Sequence, residues 1–176
     1  MNESILEKYG IRQLGYYVKN IEETAQIMAE VMGAGPFIDM GVNPCKSLLV
    51  RGKESKSLVR VAMGHVDDIQ LELIELQNDE PNVYSEMGHY GLHHICMWSD
   101  DVDATVKALA AYGIEVAMDM ESSAGMHVVY VDARDQFGTY IEIHQPLEQL
   151  FQGIKALHDN WDGTRPLRPV SELMGK

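Results

Sequence analysis

The sequence predicts an α+β fold made of two β-α-β-β-β units and a C-terminal helix. Three observations carry this. A strand–helix–glycine segment occurs twice, offset by about 80 residues. Each copy is followed by three strand-like stretches, and helical spacing of apolar residues returns once more near the C-terminus. The first copy opens on Gln13-Leu-Gly-Tyr-Tyr-Val, and the second on His94-Ile-Cys-Met-Trp. Helices follow from Ile21 and Val102, with Asn20 and Asp101 where N-caps belong and Gly33 and Gly113 closing them. The stretches after the first helix are 46–50, 57–63 and 69–75; after the second they are 114–120, 126–132 and 139–144. Residues 79–90 connect the two units. A last helix spans about 147–158, with Leu147, Leu150, Phe151, Ile154 and Leu157 on one face. The tail from Trp161 carries two prolines and is expected to be extended. The chain thus divides into a first module (1–80), a connector with the second module (81–146), and a helix with tail (147–176).

Composition limits the function. The chain has 176 residues, 45% of them hydrophobic, and a formal net charge of −13. Such an acidic chain lacks the basic footprint of a nucleic-acid or anionic-membrane partner. Its apolar runs are too short to span a bilayer. The start, Met-Asn-Glu-Ser-Ile-Leu-Glu-Lys, has neither the basic nor the apolar region of a secretory signal. The only cysteines are Cys45 and Cys96, so nothing points to an oxidising compartment. The expectation is a cytoplasmic protein.

Strand alternation marks candidate functional residues. Leu71 and Leu73 share a face opposite Gln70, Glu72 and Ile74. Ile141 and Ile143 oppose Tyr140, Glu142 and His144, and Ile95 and Met97 oppose His94, Cys96 and Trp98. Gln13, Glu72, His94 and Glu142 therefore fall on the non-helix face, each on the first or last strand of a unit. A sheet curled into a trough would turn all four inward. Each alone reads as a solvated or structural residue; their symmetric placement sets them apart. Two carboxylates converging in a cavity repel and lose solvation unless a cation compensates. One imidazole, one amide oxygen and two carboxylates suit Zn, Ni, Co, Mn or Fe(II). Tyr17, Trp98 and Tyr140 share these faces and either line a pocket for an apolar or aromatic ketone or fill the cleft. His144 reads as an acid–base group or a rim histidine, and Arg60 as an anion partner or a solvated strand residue.

The motifs Gln13-Leu-Gly-Tyr-Tyr-Val, Leu71-Glu-Leu-Ile-Glu, Gly91-Leu-His-His-Ile-Cys-Met-Trp-Ser-Asp-Asp-Val-Asp and Phe137-Gly-Thr-Tyr-Ile-Glu-Ile resemble the vicinal oxygen chelate superfamily. That superfamily includes glyoxalase I, methylmalonyl-CoA epimerase, extradiol dioxygenases, and fosfomycin and bleomycin resistance proteins. The resemblance covers residues 10–146. It implies paired βαβββ modules around a U-shaped, partly closed metal cleft, with Gln13, Glu72, His94 and Glu142 as ligands. Of the adjacent histidines it selects His94, leaving His93 to face the packing side. Where glyoxalase I holds glutathione, this chain has Tyr17, Leu76 and Tyr90, which disfavours a lactoylglutathione lyase. Methylmalonyl-CoA epimerases carry a second catalytic Glu on the third strand, where Arg60 stands here. The implied activity is that of a metal-dependent epimerase, racemase or isomerase, which takes a proton next to a carbonyl with Glu142, or else Glu72, as base. The substrate implied is a small carbonyl compound, an apolar or aromatic ketone or an acyl thioester. A glyoxalase-type lyase, an Fe(II) ring-cleaving dioxygenase and a non-catalytic binding protein are the alternatives. A homodimer is implied by the resemblance alone.

Overall fold

The computed structural model describes residues 4–42 and 44–173. Residues 1–3, which open the segment read for a secretory signal, lie outside it, as do 43 and 174–176. The first unit comprises β1 (Ile11–Tyr17), α1 (Ile21–Met32), β2 (Phe37–Val42), β5 (Val59–Val66) and β6 (Ile69–Leu76), with β3 (Cys45–Val50) and β4 (Lys53–Glu54) inserted after β2. The second comprises β7 (Gly91–Trp98), α2 (Val102–Ala110), β8 (Glu115–Ser122), β9 (His127–Ala133), the one-turn α3 (Arg134–Phe137) and β10 (Thr139–His144). The chain ends with α4 (Glu148–Asp159) and β11 (Leu167–Pro169).

Both long helices of the units begin as the sequence requires. The Asn20 side chain accepts from Glu23 N–H, and Asp101 accepts from Ala104 N–H. Each such cap satisfies a backbone donor the helix cannot and contributes about 1 kcal/mol. Gly33 closes α1 in the left-handed region at φ 66°. Ile21 and Ala25 of α1 pack on Phe37, Ala62, Leu71 and Leu73. Val102 and Leu109 of α2 pack on Ile114, Val129, Val131, Ile141 and Ile143. The apolar strand faces identified from alternation are thus the helix-covered ones.

The described strands form one eleven-stranded sheet in the order β11-β2-β5-β6-β1-β7-β10-β9-β8-β3-β4. The two units meet at its centre, where β1 pairs antiparallel with β7; β6 and β10 flank them in parallel. The stretch expected as 46–50 is β3, and it leaves its own unit: it pairs antiparallel with β8 of the other. The second strand of the first unit is instead Phe37–Val42. Only two residues separate β2 from β3, so Val42 and Cys45 lie within about 11 Å of each other. Yet these strands lie near opposite ends of the strand order. The sheet must therefore curl into a trough that is open along one side. The hairpin from β3 to β4 turns through Arg51 and Gly52, both at positive φ (50° and 74°), as a right-twisted two-residue turn requires. Arg51 then pairs with Glu86 and Asp132, each at 2.6 Å, and ties the hairpin to the second unit.

The centre of the trough departs from simple alternation. Along β1 and β7 the partners run Ile11↔Met97 then Gln13↔Cys96, so Arg12 is an extra residue on β1. They then run Gly15↔His94 and Tyr16↔Leu92, so His93 is an extra residue on β7. Each is a β-bulge, which re-aims a side chain. α4 packs against β5, while β11 extends the sheet parallel to β2.

Candidate metal centre and its cavity

Gln13, Glu72, His94 and Glu142 are all buried, at 5%, 6%, 0% and 7% exposure. His94 Nε2 lies 3.3 Å from Glu72 Oε2 and 3.2 Å from Glu142 Oε2. None of these three atoms makes a well-formed hydrogen bond. Orphaned buried polar atoms are costly, and three aimed at one point fit a shared cation. Gln13 donates its amide N–H to Gln70 Oε1 at 2.8 Å, which leaves its oxygen as the atom able to ligate.

Electrostatics agree. Burial disfavours a charged His94, but the carboxylates of Glu142 and Glu72 outweigh it and hold its pKa up at about 9. Burial likewise pushes Glu142 up, yet the adjacent His94 overrides it and holds the carboxyl down at about 2. Burial, reinforced by the charge of Glu142, pushes Glu72 up. The cluster thus carries protons that a divalent cation would displace.

The bulge turns His93 into the trough, correcting the expectation that it faces the packing side. Its ring stacks on Tyr140 at 4.8 Å and touches Tyr84 and Tyr130. His93 Nε2 is 3.1 Å from Val83 O, and His93 Nδ1 is 3.1 Å from His94 Nδ1. With Nε2–H donating to Val83 O, His93 Nδ1 can only accept, so His94 Nδ1–H donates to it. That fixes His94 with Nε2 toward the carboxylates, the orientation a metal-ligating imidazole needs. Gly15 completes the arrangement, because a Cβ there would lie 1.8 Å from His94 Cε1. Only glycine lets the ring lie across β1.

Gln13, Glu72 and Glu142 line a cavity of about 350 Å³, with His94 just behind its wall against the two carboxylates. Its walls are largely apolar, with Val61, Met63, Ile74, Met120 and Val128 from the strands, Met126 from the turn between β8 and β9, and Leu147, Leu150 and Phe151 from the C-terminal helix region. A second cluster, Cys96, Glu142 and His144, adjoins the first. His144 Nδ1–H donates to Gln145 O at 2.6 Å, so Nε2 is left to accept from the Cys96 thiol at 3.2 Å. Burial pushes the Cys96 thiol well up, so it is not a ready thiolate.

Residues 12–131 match the sequence model of the glyoxalase/bleomycin resistance protein/dioxygenase superfamily. The chain belongs to this superfamily. No curated protein matches it. Among solved structures, a hypothetical protein from Bacillus halodurans C-125 superposes with a TM-score of 0.58 at 14% identity, covering 81% of this chain and 97% of its own. The methylmalonyl-CoA epimerase of Mycobacterium tuberculosis gives 0.56 at 15%, covering 85% and 95%. A methylmalonyl-CoA epimerase bound to methylmalonyl-CoA and NH4+ gives 0.54 at 20%, covering 80% and 96%. At these identities the likeness is one of fold.

Within this superfamily member, the expected substrate-binding residues separate into two groups. Trp98 and His144 line the cavity together with Gln13, Glu72 and Glu142. Tyr17, Tyr140 and Arg60 do not line it. The Tyr17 ring packs tilted against that of Tyr90, with centroids 4.7 Å apart, so the two residues engage each other. Tyr140 is fully buried and donates its hydroxyl to Glu86 at 2.8 Å. Arg60 is paired with Asp39 and Glu22 at 2.7 Å each, being on β5 where its parity aims it at β2 and α1. Sequence reasoning missed Arg12, which the first bulge turns into the cavity beside Trp98 and Phe151. It also missed Gln70, although alternation had placed Gln70 on the ligand face. No helix among the described residues is long and apolar enough to cross a membrane.

Proposed function

We propose that this chain is a metal-dependent isomerase, of epimerase or racemase type, acting on a small carbonyl compound. The observation that carries the reading is the convergence of Glu72, His94 and Glu142, with three buried atoms that lie against one another without well-formed hydrogen bonds, at the edge of a largely apolar cavity. Gln13, Glu72, His94 and Glu142 would hold a divalent cation, Zn, Co, Ni or Mn before Fe(II). Such a cation supplies Lewis-acid polarisation of a carbonyl oxygen. The chain's own residues supply the proton chemistry. Glu142 is assigned as base: it lies at the wall shared with Trp98 and His144, where a substrate's α-carbon would be held. Holding a cation would weaken Glu142 as a base, and burial beside Glu72 and His94 sets how readily its carboxylate takes the proton. Glu72 sits on β6 and Glu142 on β10, on opposite sides of the β1–β7 centre. Carboxylates reaching in from two sides can remove a proton from one face and return it to the other, which is epimerisation. The apolar walls exclude water and keep the carbanionic centre from random protonation.

Elemental analysis after reconstitution, together with α-proton exchange of ketones and acyl thioesters in D2O, tests this. About one equivalent of non-redox metal is expected, lost when Gln13, Glu72, His94 or Glu142 becomes alanine. Glu142→Gln, which keeps an oxygen donor, should retain the fold and abolish exchange. Failure to hold any metal would overturn the metal site, retained iron with O2 consumption would point to oxygenase chemistry, and unchanged exchange in Glu142→Gln would overturn the base assignment.

A further inference from the structure

We propose that Arg12 is the anchor for a carboxylate on the substrate, so that the cavity selects small keto acids over neutral ketones and esters. This rests on the proposed function for the location of the reacting carbonyl. Arg12 reaches the cavity only because it is the extra residue of the β1 bulge beside Gln13. Among the described residues lining the cavity it is the only lysine or arginine. Its guanidinium carbon lies 4.6 Å from the Trp98 ring and 4.5 Å from that of Phe151. Two aromatic faces hold the planar cation without consuming its N–H donors. Its Nε is buried and has no hydrogen-bond partner. Its nearest carboxylate, Glu148 Oε2, is 4.0 Å from Nη2 and belongs to a side chain that is half exposed. That is a loose rim contact, not a closed pair.

Charge counting points the same way. Two carboxylates and a divalent cation would balance each other, which leaves Arg12 as the remaining charge on a largely apolar lining, its side chain 27% exposed and met only by the loose rim contact with Glu148. Such a charge is costly unless paired, and one guanidinium matches one carboxylate through a two-pronged hydrogen bond. A phosphate dianion or a nucleotide-bearing thioester would bring charges that this lining does not meet. Arg12 and the ligand Gln13 are adjacent in the chain, so an anchored carboxylate places a neighbouring carbonyl toward the metal centre.

Calorimetric titration of the zinc-reconstituted protein tests this, using straight-chain α-keto acids from butanoate to octanoate length, each beside its methyl ester. The best acid should bind roughly 10- to 100-fold more tightly than its ester, the worth of a charge-assisted hydrogen bond. Arg12→Met keeps the stem packed on Trp98 and Phe151; it should erase that preference while leaving ester affinity, thermal midpoint and zinc content unchanged. Arg12→Lys should restore part of it. Glu148→Gln, by removing the competing rim carboxylate, should strengthen acid binding. An unaltered acid-to-ester ratio in Arg12→Met overturns the proposal, as does the lack of any acid in the series that outbinds its ester. If the protein retains no zinc, the metal reading fails by itself; the acid-to-ester ratio of wild type against Arg12→Met, measured in the same protein, still decides the role of Arg12.

Discussion

Replacing Gly15 by alanine should empty the proposed metal centre without touching a proposed ligand. The added Cβ would lie 1.8 Å from Cε1 and 2.1 Å from Nε2 of His94. Non-bonded carbons sit about 3.5 to 4.0 Å apart, so the overlap is about 2 Å. The His94 ring cannot yield gently. It is fully buried, with Tyr130 at 4.9 Å on one side and His93 bonded to its other nitrogen. It must leave its rotamer and take Nε2 away from Glu72 and Glu142. Forcing a methyl into a packed interior costs about 1–3 kcal/mol, or a few degrees of thermal midpoint for a chain of this length. Losing a directed ligand should exceed the 10- to 100-fold effect of disturbing a ligand's support, so metal affinity should fall by roughly 100-fold or more. Gly64→Ala is the matched control: its Cβ would meet the Phe37 ring at 2.9 Å in the helix-side core. Its smaller overlap should lower the thermal midpoint by less and leave metal affinity intact. Competition against a chromophoric chelator and differential scanning calorimetry measure the two quantities. Wild-type affinity in Gly15→Ala would refute both the clash and the assignment of His94 as a ligand.

Two further expectations use histidines outside the ligand set. His93→Phe keeps the stack on Tyr140 but removes the bond that orients His94; metal affinity should fall about 10- to 100-fold with the fold intact, and an unchanged affinity would show that His93 only fills space. His65 is fully buried against Phe151, and neither ring nitrogen has a hydrogen-bond partner. Burial, with the charges of His158 and Lys155 adding, pulls its pKa down from 6.5 to about 4. The unfolded chain therefore binds a proton at higher pH than the native one, so stability falls with pH from about 6.5 through 4. The full loss is about 3 kcal/mol. Denaturant titrations across that range should show this slope in the wild type and a shallower one in His65→Phe; parallel slopes would rule His65 out as the cause.

What the sequence conveyed and what it withheld follow from one property of strands. Alternation with period two is strict while the ladder is regular, so β6 and β10 were read correctly: Glu72 and Glu142 face one way, and Leu71, Leu73, Ile141 and Ile143 the other. Helix caps are local chemistry, and Asn20 and Asp101 stand where they were expected. Pairing partners are not local. Nothing in residues 45–50 says that β3 will leave its unit and close on β8, because that choice is made by the curl of the whole sheet. Tyr17 and Tyr140 were assigned to the correct face, but a face does not reveal depth, and both lie where aromatic rings fill the trough instead of lining its cavity.

The deeper failure of alternation is confined to the β1–β7 seam, and the seam is also where the site is built. Two strands that join the two units must match their twists across the centre of the sheet, and a bulge on each strand increases the local twist there. The extra residue on β1 is Arg12 and the extra residue on β7 is His93. Each is thereby aimed into the trough next to a residue that already points there, Gln13 and His94. Two consecutive inward side chains are something a regular strand cannot offer, and the chain uses them alike on both sides: one residue of each pair can ligate, while its neighbour supports or anchors. Parity read from sequence would therefore mislead at those positions where the fold concentrates its chemistry, and paired polar residues at the start of a unit's first strand, Arg12-Gln13 and His93-His94, are the signal that could have exposed it.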